Sequence, residues 1–103
     1  MDGFTKAAKR SSVTGDELKM VEIGDEEVVL AEVGGDVVAF NNVCPHAGCD
    51  LVDGELDDDE ITCECHGSRF NVRTGQVLTG PAAEDLSLYS VRVEGDDVLI
   101  GPT

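Results

Sequence analysis

All four cysteines and both histidines of the chain fall between positions 44 and 66, and this clustering limits what the chain can fold into. They occupy two short segments, C-P-H-A-G-C at 44–49 and C-E-C-H at 63–66. Each segment places a cysteine close to a histidine, Cys44 with His46 and Cys63 with His66, and sixteen residues separate His46 from Cys63. Clustered thiols and imidazoles are typical metal ligands. Any fold of this chain must therefore bring the two segments together.

The chain outside these segments has the pattern of short β-strands. Apolar and β-branched residues form runs at 18–23, 28–33 and 37–40, and again at 88–93 and 98–100. Glycine and aspartate separate the runs at 24–25, 34–36 and 95–96, and no segment keeps the 3.6-residue period of a helix. A single helical turn is expected at 82–85, and the acidic run at 57–60 predicts a solvated hairpin tip. We therefore predict one all-β domain, a sandwich or barrel, over residues 1–103.

Acidic residues dominate the charge of the chain, because 22 Asp and Glu against seven Lys and Arg give a formal net charge of -15. Such a charge repels phosphate backbones and anionic lipids, which argues against binding nucleic acid or a membrane surface. No apolar stretch approaches the roughly 18 residues that span a bilayer, and no secretory signal is recognisable at the start. The sequence therefore predicts a cytoplasmic protein without membrane insertion. Its acidity fits either attraction to a basic partner or general solubility, including adaptation to high salt.

Two thiolates and two imidazoles suit two kinds of metal centre. A structural zinc ion accepts a Cys₂His₂ set, although zinc sites usually present Cys-x₂₋₄-Cys pairs, whereas each segment here pairs one Cys with one His. A two-iron, two-sulfide cluster uses that pairing well, because each segment then gives a thiolate to one iron and an imidazole to the other. Two ferric ions, two sulfides and two thiolates sum to zero charge. Such a cluster is easier to reduce than one with four thiolates.

The spacing of these residues resembles the Rieske [2Fe–2S] family. C-x-H, sixteen residues and C-x-x-H are followed by G-S-x-F at 67–70, G-Q-V at 75–77 and G-P-A at 80–82. The resemblance extends over nearly the whole chain and is to stand-alone Rieske ferredoxin domains. It implies an antiparallel β-sandwich base, a smaller cluster-binding subdomain at about 43–82, and one [2Fe–2S] cluster per chain.

The resemblance also assigns the cluster ligands and their neighbours. Cys44 and Cys63 would bind the buried iron, and His46 and His66 the outer iron. The assigned neighbours are two glycines that would let backbone N–H groups approach the sulfides, a proline in a covering loop, and two residues after the second ligand segment: Gly48, Gly67, Pro81, Ser68 and Phe70.

Two of these neighbours set the expected reduction potential. Ser68 matches a position whose hydroxyl hydrogen-bonds a bridging sulfide in high-potential members, but Phe70 stands where those members have a tyrosine. Hydrogen bonds to cluster sulfurs favour the reduced state. One retained donor and one missing donor therefore imply an intermediate potential.

The remaining cysteines, Cys49 and Cys65, match a pair found in respiratory-type Rieske proteins and missing from many dioxygenase-linked ferredoxins. In the respiratory type this pair forms a disulfide that ties the two cluster loops together. The resemblance therefore implies a Cys49–Cys65 disulfide. The alternative is two buried free thiols that pack as small apolar side chains.

The implied function is one-electron transfer, without substrate turnover by this chain. As a monomer, it would take electrons from a flavin-type reductase and pass them to a terminal acceptor such as a Rieske-type oxygenase. One alternative is a small Rieske subunit of a larger redox enzyme, either nitrite-reductase-like or respiratory-type. Another is a zinc-stabilised binding module.

The first prediction concerns the bound metal. Purified protein should be red-brown and contain about two iron atoms and two acid-labile sulfides per chain, because each ligand segment pairs a thiol with an imidazole. Metal analysis and the visible absorption spectrum measure this directly. A colourless protein with one tightly bound zinc ion would contradict the assignment.

Overall fold

The computed structural model describes residues 3–15, 17–44, 49–65, 67–80 and 84–101. The regular structure of these residues consists of ten short strands and two 3-10 helices, Arg10–Ser12 and Leu51–Asp53. The strands are β1 (Thr5–Lys9), β2 (Lys19–Ile23), β3 (Glu26–Val33), β4 (Asp36–Asn41), β5 (Glu55–Asp57), β6 (Glu60–Thr62), β7 (Arg69–Asn71), β8 (Val77–Thr79), β9 (Val91–Glu94) and β10 (Asp97–Ile100). The predicted all-β class is confirmed.

The strands form three antiparallel sheets, with the orders β1-β10-β9, β2-β3-β4 and β5-β6-β7-β8. Strand β3 is the longest and pairs with β2 on one side and β4 on the other. The first and last of the described strands, β1 and β10, pair with each other in one sheet. The third sheet carries the second ligand segment, which follows β6 and precedes β7.

Both faces of β3 are buried, which makes β2-β3-β4 the central layer. Successive side chains of a strand point to opposite faces. Val28 and Leu30 pack in one core with residues of β4 and β10, whereas Val29 and Ala31 pack in a second core with residues of the third sheet. All four are fully buried. Burial of both faces explains the continuous apolar run at 28–31. A strand covered on one face alone would alternate apolar and polar residues.

The second core contains the two cysteines predicted to bind the buried iron. Cys44 and Cys63 are each 1% exposed and share this core with Leu51, Ile61 and Phe70. The same side chains that join the third sheet to the central layer therefore surround the two thiols. The ligand positions are held by the fold rather than by flexible loops alone.

Most of the predicted strands are confirmed, with one clear shift. The runs at 18–23, 28–33, 37–40 and 98–100 correspond to β2, β3, β4 and β10. The run at 88–93 becomes a strand only from Val91, because Leu88 and Tyr89 instead contact β4: Leu88 bridges Phe40, and the Tyr89 N–H donates to the Ala39 carbonyl at 3.0 Å. The helical turn expected at 82–85 lies partly outside the described residues.

The third sheet was not predicted from sequence, and it contains the acidic run at 57–60. Asp57 pairs with Glu60 across the β5–β6 turn, and Asp58 in that turn has a positive φ of 55°. An aspartate tolerates this left-handed conformation better than most side chains. The prediction of a solvated hairpin tip is confirmed.

Strands β5–β8 lie inside the predicted cluster-binding subdomain at about 43–82, whose boundaries stay a prediction.

The structure was also searched for membrane-spanning helices. In the part of the chain that it describes, no helix has the length and apolar character needed to cross a bilayer.

The packing around Gly54 gives a stability prediction. A Cβ at this position would meet the backbone carbonyl oxygens of Thr62 and Leu51, which cannot move as a side-chain end can. Gly54→Ala should lower the free energy of unfolding by about 1–3 kcal/mol, measured by urea or thermal unfolding.

Gly15→Ala is the matched control, because a Cβ there would meet only the Glu32 carboxylate, at 3.3 Å from its Oε1. That flexible side chain can shift, so this variant should unfold close to the wild-type midpoint. Equal destabilisation by both substitutions would contradict the steric explanation.

Candidate metal centre

The two ends of the first ligand segment pair as the arms of a small hairpin do, and we call residues 44–49 the first tip. Val43 and Asp50 form an isolated antiparallel bridge on its two arms, and the Cys44 N–H donates to the Cys49 carbonyl at 2.9 Å. Cys44 thus occupies the first position of a six-residue tip, and Cys49 the last. The bridge and this hydrogen bond fix the backbone of Cys44, the first predicted iron ligand.

The second ligand segment has the same arrangement. Thr62 of β6 pairs with Arg69 of β7, and the Cys63 N–H donates to the Ser68 carbonyl at 2.7 Å. Cys63 and Ser68 are therefore the first and last residues of a second six-residue tip. The two predicted thiolate ligands occupy equivalent positions in two hairpins, which suits a group bound between them.

The glycine of the second tip shows why a larger residue is disfavoured there. Gly67 has a φ of +75°, and its N–H donates to the Cys63 carbonyl at 3.0 Å. Among the described residues, no atom other than those of its chain neighbours lies within 4 Å of the position that a Cβ would take. The left-handed backbone is the constraint, and glycine adopts it without steric cost.

A disulfide joins Cys49 of the first tip to Cys65 of the second, as predicted. Their Cα atoms are 6.5 Å apart, and the Cys65 side of the bond is exposed while Cys49 is half-buried. The sulfur of Cys63 lies close to the bond, because the Sγ atoms of Cys49, Cys63 and Cys65 are all within 4.8 Å of one another. The two tips are therefore in contact.

The donor set fits a [2Fe–2S] cluster on the residues that the structure describes. Cys44 and Cys63 take no part in the disulfide and are almost fully buried, on two tips that are linked covalently beside them. Cysteine thiolates are soft ligands that suit metal centres such as iron–sulfur clusters. The other predicted site residues, His46, His66, Gly48 and Pro81, lie outside the described residues.

Asn42 holds the base of the first tip and was missed by the sequence analysis. Its side chain is 1% exposed, donates to Glu27 Oε1 at 3.0 Å, and accepts from the Val52 N–H at 2.9 Å. Its carbonyl accepts from the Leu51 N–H at 2.7 Å. One side chain thus ties β3 to both arms of the hairpin. An asparagine at the end of an apolar strand, just before the ligand segment, was the available signal.

The neighbouring Asn41 contacts the other core. Its amide donates to the Tyr89 hydroxyl at 2.9 Å, and its Oδ1 accepts from the Val43 N–H at 2.8 Å. Burial raises the pKa of Tyr89 above its ordinary value, because a phenolate would be poorly solvated there. Tyr89 therefore stays a neutral hydrogen-bonding group.

Ser68 and Phe70 are both fully buried. Phe70 pairs with Ile61 on the neighbouring strand β6 and packs in the core that contains Cys63. A buried serine at the end of the second tip and a buried ring two residues later are therefore both close to the second thiol.

Exposed carboxylates surround the solvent side of the disulfide. An open groove of about 400 Å³ is lined by the disulfide together with Asp50, Asp53 and Glu64. A second groove of similar size is lined by Asp53, Glu64 and a further acid, Glu55. We call Asp50, Asp53, Glu55 and Glu64 the acidic rim. Positions 44–68 contain no Lys or Arg, so no cation of the ligand segments offsets this charge.

Comparison with known proteins gives a consistent family. The model of the Rieske [2Fe-2S] domain matches residues 3–91. The ferredoxin component of biphenyl 2,3-dioxygenase from Rhodococcus jostii is 36% identical over 97 residues, which cover 94% of this chain and 91% of that protein. The iron-sulfur subunit of the cytochrome b6-f complex of Chlorobaculum thiosulfatiphilum is 34% identical over 92 residues, covering 89% of this chain but only 50% of that subunit.

Solved structures agree with the sequence comparison. The ferredoxin of carbazole 1,9a-dioxygenase from Nocardioides aromaticivorans superposes with a TM-score of 0.90 at 28% identity, covering 98% of this chain and 99% of that one. A chain from the complex of reduced oxygenase and oxidized ferredoxin in carbazole 1,9a-dioxygenase gives a TM-score of 0.89 at 27% identity, covering 98% and 94%.

The hydrogen bonds of Asn42 give a prediction about cluster retention. Asn42→Ala should lower the free energy of unfolding by about 1–3 kcal/mol, because Glu27 and the Val52 N–H lose a buried partner. It should also speed the loss of the visible absorption of the cluster when a chelator is added.

Asn71→Ala is the control, because Asn71 also accepts from two backbone N–H groups, those of Arg73 and Thr74, but in the β7–β8 turn. It should destabilise the fold without changing the bleaching rate measured below the unfolding transition. If both variants bleach at the same rate, Asn42 has no particular role at the ligand tip.

Proposed function

The chain belongs to the Rieske [2Fe–2S] family, and we propose that it carries single electrons from a flavin-type reductase to a terminal Rieske-type oxygenase. It binds one [2Fe–2S] cluster and is an electron-transfer component of the ferredoxin type. The observation that supports this role most directly is the pair of equivalent hairpin tips, each starting with a buried cysteine that is outside the disulfide. The matched relatives of similar length are ferredoxin components of dioxygenases.

The proposed ligands are Cys44 and Cys63 for the inner iron and His46 and His66 for the outer iron. When bound, the cluster accepts and releases one electron without a change in its ligands. The chain's own contribution is to bury the two thiols, to keep the tips together through the disulfide, and to exclude water from the side facing the second core. In the family, the same assignment places Gly48 and Pro81 against the cluster.

The acidic rim supports a basic docking face on the redox partner. Asp50, Asp53, Glu55 and Glu64 are exposed beside the ligand tips, and Val43 next to Cys44 is an apolar side chain that is 46% exposed. An apolar contact surrounded by like charges suits a transient complex in which charge steers the encounter. The ferredoxin of carbazole dioxygenase has been solved in complex with its oxygenase, and we propose an oxygenase of that class as the acceptor.

The test is electron transfer from the reduced protein to a purified Rieske oxygenase, followed by the absorption change of the two clusters. The second-order rate should decline as salt rises, because the Debye length falls from about 10 Å at 0.1 M to about 3 Å at 1 M. Absence of transfer to every Rieske oxygenase tried, with transfer to a cytochrome instead, would overturn the proposal.

Matched variants separate the rim from the net charge. Asp53→Asn with Glu64→Gln should lower the low-salt rate, whereas Asp57→Asn with Asp58→Asn, at the far end of the β5–β6 hairpin, removes the same charge and should not. Equal effects of the two pairs would show that total charge rather than the rim governs the encounter.

A second candidate function is a respiratory-type Rieske subunit. The disulfide between the ligand tips and the similarity to a cytochrome b6-f subunit both favour it. This chain spans only half of that subunit, however, so the comparison leaves the rest of that protein unmatched. Oxidation of the reduced protein by a c-type cytochrome but not by oxygenases would support this candidate.

A cytoplasmic location is part of the proposal. Cell fractionation with an antibody against the protein tests the location directly.

The proposed role of Ser68 predicts a change in reduction potential. Ser68→Ala should retain the cluster but lower the potential by about 40 mV, which corresponds to the loss of one hydrogen bond of about 1 kcal/mol. Protein-film voltammetry measures the shift. The exposed Ser11→Ala should leave the potential unchanged, and a Ser68→Ala potential equal to wild type would show that this hydroxyl does not donate to the cluster.

A further inference from the structure

A groove with an apolar lining runs beside β5, on the flank of the ligand-bearing sheet. It has a volume of about 350 Å³ and lies between β5 and the chain that leads into β2. Its apolar side chains are Leu18, Val52 and Leu56, all half-buried, and the exposed Glu17 and Glu55 also line it. We call these five residues the β5 groove.

Strand β5 has one edge to which a further strand can bind. It is the outer strand in the order β5-β6-β7-β8, and among the described strands it pairs with β6 alone. An outer antiparallel strand turns every second backbone N–H and C=O away from its partner, and an extended segment can bind to these groups. An extended chain is therefore a suitable occupant for this flank of the sheet.

The β5 groove is continuous with the proposed docking face at the ligand tips. Glu55 also lines the groove that contains Cys63 and Glu64, and Glu64 in turn lines the groove along the disulfide. A partner bound at the acidic rim would therefore have the β5 groove directly beside it.

The charge of these three connected grooves favours a basic occupant. The carboxylates that line them are those of the acidic rim and Glu17. No Lys or Arg among the described residues lines any of the three, and none of these acids forms an ion pair with a described cation. A cationic side chain that binds there is attracted without having to displace a cation of this chain.

We propose that the β5 groove binds an extended, basic segment of the redox partner, in addition to the contact at the acidic rim. Side chains of an extended segment alternate between its two faces. An apolar side chain would contact Leu18, Val52 and Leu56, and its lysine or arginine neighbours would lie near Glu17 and Glu55. The inference rests on the proposed function in naming the redox partner as the source of the segment.

The first test uses a labelled peptide probe, Lys-Leu-Lys-Leu-Lys with blocked ends, and the cluster-loaded protein. Fluorescence anisotropy at about 0.1 M salt should show saturable binding. A Lys-Ser-Lys-Ser-Lys peptide of equal charge should bind about threefold more weakly or worse, because serine gains nothing from the apolar lining. Absence of binding, or equal binding of the two peptides, would overturn the proposal.

Charge-reversed variants locate the binding site of the peptide. Glu17→Lys should weaken binding of the leucine peptide by about fivefold or more, because it places a cation in the groove. Glu22→Lys is the matched control: Glu22 is an exposed acid in β2 that lines none of the three grooves, and the net charge changes equally. Equal weakening by both variants would show attraction to total charge alone and would overturn the proposal.

Electron transfer to a purified Rieske oxygenase separates this inference from the proposed function. The second-order rate should fall in Glu17→Lys and stay near the wild-type rate in Glu22→Lys. A wild-type rate in Glu17→Lys would show that the oxygenase does not use the groove, and would leave the proposed function intact. Specific peptide binding without transfer to any oxygenase would refute the proposed function, but not the binding of basic segments by the groove.

Discussion

Burial of both faces of β3 is the constraint on which the rest of the structure depends. Val28 and Leu30 complete the core shared with the β1-β10-β9 sheet, and Val29 and Ala31 complete the core shared with the ligand-bearing sheet. A domain of this size has little apolar surface to spare. By serving two cores, one strand joins three small sheets that could not each be stable alone.

The metal centre is built on that second core. Cys44 and Cys63 start two hairpin tips with matching closure, and Asn42 connects the first tip to β3 through buried hydrogen bonds. The Cys49–Cys65 disulfide joins the tips on their exposed side. Core packing and buried hydrogen bonds therefore hold the tips from the inside, and the disulfide holds them on the exposed side. Electron transfer benefits from such rigidity, because a site that does not rearrange on reduction has a small barrier.

The charges are distributed unevenly in a way that suits a carrier with transient partners. Several cations form ion pairs with acids outside the acidic rim: Lys6 with Asp97, Arg10 with Glu32, Arg69 with Glu60, Arg73 with Asp36, and Arg92 with Glu94. The acidic rim has no such cation between positions 44 and 68. Its charge is therefore available for long-range attraction and is weakened by salt, which allows rapid dissociation after transfer.

The sequence by itself determined the strand class and the family, and the four proposed ligand positions are also read from it alone. Runs of β-branched residues and glycine turns are local signals, and the spacing of Cys44, His46, Cys63 and His66 is a motif that can be read directly from the chain. Tertiary structure decided what depends on distant residues. Strands β5–β8 are three residues each, too short to show a period, and the burial of Asn42 and the grouping of the three sulfurs exist only once the sheets pack. Such features arise from contacts between segments that are far apart in the chain. A local sequence pattern therefore cannot predict them.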